Sequence, residues 1–82
     1  MNLTLDKINL NQEVKIKKVN GNKEIRKRLF DLGFIPDMIV KPILVSPLKH
    51  MRAYQLGTSI YALREQDARI IVVEESEWKR LV

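Results

Sequence analysis

Apolar positions recur along this chain with a period that changes several times, and each change marks the end of one predicted element. Leu3, Leu5, Ile8 and Leu10 open the pattern, with Thr4 placed to cap a short helical turn over Leu5-Asp6-Lys7. This opening segment reads as a lid across one end of a small barrel. From Glu13 to Val19 the spacing of Val14, Ile16 and Val19, with Lys17 or Lys18 turned outward, approximates the period of two of a half-buried strand. Asn20-Gly21 then signals a turn.

Past Asn22 the period lengthens. Ile25, Leu29 and Leu32 recur at helical spacing, and Lys23, Glu24, Arg26, Lys27 and Arg28 take the remaining faces, which predicts an amphipathic helix of about three turns. Asn22 is a good N-cap, and Gly33 stands where a left-handed residue lets Phe34 fold back on Leu29. Phe30 and Phe34 are both expected to pack into the core there. Pro36 forbids continuation of the helix.

Four further strands follow, over Met38–Val45, Met51–Leu56, Ser59–Leu63 and Ile70–Val73. Pro42 cannot donate to a ladder and is expected at an edge or a bulge. Ser46 to His50 and Gly57-Thr58 are the intervening turns, Glu65 to Ala68 forms one helical turn, and Ile70–Val73 is expected as a central, closing strand. The fold class is thus mainly β: a five-stranded barrel, with one α-helix after its first strand and a helical turn before its last. Closure removes edges that so small a protein has little means to cover.

At 82 residues, 45% of them hydrophobic, the chain builds one core and no second. Residues 1–75 form the domain, and 76–82, with Trp78, form a tail whose acids precede its bases. The absence of cysteine excludes disulfides, thiolate metal sites and cysteine nucleophiles. No stretch reaches signal-peptide character or the ~20 apolar residues of a membrane span, so a soluble, cytoplasmic protein is expected. The net charge of +5 suits an anionic partner, whether nucleic acid, acidic protein or inner membrane leaflet, and does not choose among them.

The run Arg28-Leu29-Phe30-Asp31-Leu32-Gly33-Phe34-Ile35-Pro36-Asp37-Met38 resembles the helix-exit signature of the FeoA family, approximately R-L-x-x-L-G-(I/F/L)-x-P-G. Gly57-Thr58-Ser59-Ile60-Tyr61-Ala62-Leu63-Arg64, followed by Ala68 and Ile70, resembles the family's G-x-x-I-A-L-R-x-x-x-A-x-x-I block. With Leu5-Asp6-Lys7-Ile8 and the strand around Ile16, the likeness runs from Leu3 to Val73. It implies an SH3-like barrel acting as the cytoplasmic partner of FeoB, the membrane ferrous iron transporter. It also extends to the SH3-like domain of iron-dependent repressors, which keeps a nucleic-acid-associated or metal-responsive regulator as the alternative. Two departures stand out: Lys49-His50-Met51 where relatives carry Gly-Asp-Pro, and Asp37 where they carry glycine.

Ingredients for chemistry are thin. His50 is the one histidine, no acid pair or His-x-His spacing surrounds it, and Ser46, Ser59 and Ser76 sit in no nucleophile motif, so neither catalysis, a cofactor nor a metal site is expected. With 6% aromatic residues, specific nucleic-acid recognition is not expected either. Tyr54 and Tyr61 are placed to meet across neighbouring strands, as a sheet-stabilising pair or part of a groove, with Tyr61 the more structural of the two. Recognition is the work that remains. Its expected contacts are Leu48 and Met51 as apolar anchors, Lys49 as a steering charge with His50 beside it, and Arg26 and Lys27 on the helix. Lys15, Lys17 and Lys18 add to a positive face that would be weakly drawn to an acidic membrane surface, and self-association stays open.

Overall fold

The computed structural model describes residues 3–48 and 50–75. Six strands form one antiparallel sheet: β1 (Leu3–Thr4), β2 (Val14–Val19), β3 (Ile39–Val45), β4 (Met51–Leu56), β5 (Ser59–Arg64) and β6 (Ile71–Glu75). Their spatial order is β1-β6-β2-β3-β4-β5. A 3-10 turn covers Leu5–Lys7, α1 covers Lys23–Leu32 and the single turn α2 covers Glu65–Ala68. All five expected strands are present. The sixth, β1, pairs Leu3 with Val73 and Thr4 with Val72 inside the segment read as a lid. The sheet curls into a barrel that is not fully closed, since no ladder joins β1 to β5.

On β2 the register shifts between Ile16 and Lys18, and this bulge settles the lysine ambiguity: Lys17 and Lys18 both face solvent while Val14, Ile16 and Val19 stay buried. Pro42 sits at the second irregularity, between β3 and β4, where a missing N–H breaks no ladder bond. It is fully buried, and its backbone faces the β2 side past the end of the two-pair β2–β3 ladder, so a locally unpaired side as well as the neighbouring bulge accommodates it.

The helix begins and ends as its caps dictate. Asn22 accepts a hydrogen bond from the Ile25 N–H at 2.9 Å. Gly33 adopts φ 106°, and the Gly33 and Phe34 N–H groups return to the Phe30 and Leu29 carbonyls at 2.9 and 3.0 Å, a Schellman stop. A Cβ on Gly33 would also come within 3.0 Å of Leu56 Cδ2. The following turn, closed by Met38 N–H to the Ile35 carbonyl, holds Asp37 at φ 77°. Here aspartate occupies the left-handed position where FeoA-like sequences carry glycine.

The core draws on every layer: Leu5 and Ile8 from the lid, Ile16, Leu29, Phe34, Tyr54, Leu63 and Ile71. Two helix residues depart from expectation. Phe30 is 41% exposed rather than packed inside, because it lies about 100° around the helix from buried Leu29. Phe34 is buried as expected, and its ring meets Tyr61 edge-on at 5.9 Å. Leu32 is likewise at the surface, so a ten-residue helix buries only Leu29 fully, with Ile25 packed partly against the core.

Candidate docking surface

The β3–β4 connection is a short closed loop that projects apolar side chains. Ser46 N–H donates to the Met51 carbonyl at 2.8 Å, and the Ser46 hydroxyl oxygen accepts from Met51 N–H at 3.3 Å, pinning both ends. At its tip Leu48 is 76% exposed, and His50 and Met51 are exposed beside it. Lys49 lies outside the described residues, as does the Trp78 tail. The His50 carbonyl accepts the Glu65 N–H at 2.9 Å, which ties the loop to the start of α2.

Two shallow depressions flank Met51. One, of about 390 Å³, is lined by His50, Met51, Arg64, Glu65, Gln66 and Arg69. The other, of about 320 Å³, runs between α1 and the strand–helix corner, with Arg28 and Leu32 on one wall and Ala62, Arg64 and Asp67 on the other. The fold therefore brings His50 and Met51 together with Arg28 and Arg64. Arg26 and Lys27 are exposed on the same helix, but the cation that enters the groove is Arg28, held 3.8 Å from Asp67.

Behind the loop, an ionic cluster fastens the lid. Arg52 Nη1 donates to the carbonyls of Asp6 at 2.7 Å and Leu5 at 3.4 Å, and Nη2 to that of Ile8 at 2.6 Å. Arg69 pairs with Glu65 at 2.8 Å and lies 4.0 Å from Asp6, whose carboxylate also accepts from the Thr4 hydroxyl. Thr4 thus orients Asp6 and makes no side-chain cap bond to the turn's backbone. Sequence reasoning missed Arg52 and Arg69 as organisers. The available signal was Arg52's place two residues before Tyr54, on the strand face that points inward.

Tyr54 lies opposite Tyr61 in the ladder, as expected, but is fully buried and so contributes to no groove. Burial pushes its hydroxyl up from 10 to about 12, partly opposed by the guanidinium of Arg52, which sits 5.8 Å from the ring centre. Among the described residues no group of three or more His, Cys, Asp or Glu side chains is arranged to hold a metal ion, and no helix is long and apolar enough to cross a membrane.

A curled antiparallel sheet of six strands, with one helix and a projecting β3–β4 loop, defines a small SH3-like domain. A model of the FeoA domain matches residues 3–75, and the chain belongs to the FeoA family. No curated protein matches the sequence. The solution structure of iron(II) transport protein A from Clostridium thermocellum is similar, with a TM-score of 0.85 at 25% identity, over 89% of this chain and 45% of that one. This chain therefore spans less than half the length of that relative. The crystal structure of Stenotrophomonas maltophilia FeoA complexed with zinc has a TM-score of 0.76 at 28% identity, over 88% of this chain and 89% of that one. That protein is described as a prokaryotic SH3 domain protein and a candidate activating factor for ferrous iron transport. The described residues here gather no ligand set fit for zinc. A manganese-dependent transcriptional repressor shares the fold alone, with a TM-score of 0.83 at 10% identity, over 92% of this chain and 42% of that one.

Proposed function

We propose that this chain is a cytoplasmic, non-enzymatic adaptor of ferrous iron uptake that docks on the cytoplasmic side of a FeoB-like transporter and modulates it through binding alone. Family membership supports the pathway. The single observation that supports the means is the apolar tip of the β3–β4 loop, where Leu48, at 76%, is the most exposed large apolar side chain among the described residues. A leucine held in water on a pinned loop gains free energy only when a partner covers it.

Leu48 and Met51 serve as anchors, with Lys49 and His50 between them, while Arg26 and Lys27 extend attraction toward an acidic surface. Co-purification with the detergent-solubilised transporter tests this reading. Leu48→Asp is expected to weaken capture roughly thirtyfold, the effect of losing one apolar anchor, with the circular dichroism spectrum unchanged. Undiminished capture would reject the loop as the contact.

A further inference from the structure

The sheet has two edges, and they are treated differently. β1 is blunted by its length of two residues. β5 is six residues long and carries no acid and only one base, Arg64 at its end. Its hydrogen-bonding sides follow from the register. Glu65 N–H bonds to the His50 carbonyl, and β4 and β5 pair residue by residue from Met51↔Arg64 to Leu56↔Ser59. Because bonded and non-bonded pairs alternate, Ser59, Tyr61 and Leu63 spend their backbone groups on β4. The N–H and C=O groups of Ile60, Ala62 and Arg64 face the other way. No described strand pairs with that side, and Ile60 is 61% exposed.

Alongside this edge runs the groove already described, about 320 Å³ between β5 and α1. We infer that the free edge of β5 accepts an extended, acidic segment of a partner protein as an added strand, seated between β5 and α1. The backbone edge supplies the pairing, and the charge selects the occupant. Arg64 has no ion-pair partner among the described residues, and Arg28 is 67% exposed and only loosely paired with Asp67 at 3.8 Å. An acidic strand in the groove meets both cations. A second copy of this chain does not fit: β5 offers no carboxylate to the facing arginines, and two copies of net charge +5 repel. The groove shares Met51 with the β3–β4 tip but not Leu48, so Leu48→Asp and the R28E/R64E pair tell the two readings apart.

The test uses the full chain, labelled with nitrogen-15, and a short blocked peptide alternating glutamate with valine. Titration is expected to shift the amides of Ile60, Ala62 and Arg64 and slow their hydrogen exchange. A peptide N-methylated at every second residue, which lacks the edge-facing donors, is expected to bind about tenfold more weakly or worse. The double variant R28E/R64E is expected to lose the acidic peptide and to gain its lysine–valine counterpart. Shifts without slowed exchange, or equal binding of the N-methylated peptide, would reduce the groove to a charged patch and overturn strand addition. Concentration-dependent slowing of the same amides without peptide would assign the edge to self-association and overturn the acidic occupant. An absence of shifts at millimolar peptide would overturn the site.

Discussion

Tyr54 condenses the electrostatics of the barrel into one side chain. Its ring fills the interior, and its hydroxyl, with the Arg52 guanidinium nearby, makes no hydrogen bond of good geometry among the described residues. An unpaired buried hydroxyl costs about 1–3 kcal/mol, so Tyr54→Phe is expected to be neutral or to stabilise the fold by about 1 kcal/mol, measured by urea denaturation at neutral pH. The same burial sets a pH dependence of definite sign. Raising the folded-state value from 10 to about 12 means the protonated phenol is the form the fold tolerates. Its contribution is therefore whole below pH 10 and is lost as the pH climbs toward 12, by up to about 3 kcal/mol. The diagnostic quantity is the difference between the parent and Tyr54→Phe, which cancels every alkaline effect that the two proteins share. The parent should lose stability more steeply than the variant between pH 10 and 12; parallel curves would remove Tyr54 from the account.

Between single residues and the barrel stands the 3-10 lid, held by one side chain from the far half of the sheet. Leu5–Lys7 is too short to satisfy its own carbonyls, and Arg52 reaches two of them, of Leu5 and Asp6, and that of the following Ile8 in a fork from β4. Arg52→Lys keeps the charge but replaces the planar fork with a single ammonium, and is expected to cost about 2–3 kcal/mol and to speed hydrogen exchange around Ile8. Stability within about 0.5 kcal/mol of the parent would mean the carbonyls are served equally well by water. This clamp also marks the limit of what the sequence discloses. Local chemistry was legible: Asn22, Gly33 and Pro36 bound α1, and the strands of β2 to β6 follow their apolar spacing, because caps and alternation act within a few residues. β1 was not, since two residues carry no period and owe their conformation to Val72 and Val73 across the ladder. Phe30 was misplaced because only tertiary packing decided that Phe34 would fill the pocket beside Tyr61. At the candidate docking surface the exposure of Leu48 was legible from its turn residues, whereas the groove with Arg28 and Arg64 depends on where α1 lies against β5.

At the level of the whole molecule, the sheet consists of two three-stranded wings, β1-β6-β2 and β3-β4-β5, joined by a narrow seam. The β2–β3 ladder has only two register pairs, Val14↔Val40 and Lys15↔Ile39, extended by the exchange of backbone bonds from Ile16 to Asp37 and Met38. So short a ladder would leave the wings free to part if it acted alone. What unites them is the shared interior, where Ile16, Ile71 and Val73 of one wing join the same buried cluster as Tyr54, Leu56 and Leu63 of the other. Leu5, fully buried, belongs to that shared cluster; its turn packs on β6 of one wing and its carbonyl accepts from Arg52 on β4 of the other. A chain of this size has a total stability of only about 4–12 kcal/mol, and Leu5→Ala removes about 2–5 kcal/mol by opening a cavity that the barrel wall has little freedom to collapse. Because the lost contacts bridge the seam, the loss is expected to be global and two-state. Denaturation followed at Leu63 in one wing and at Val73 in the other should shift to the same new midpoint. If Val73 moved while Leu63 stayed, the wings would be separate folding units and the β2–β3 seam, not the core, would be the hinge of the molecule.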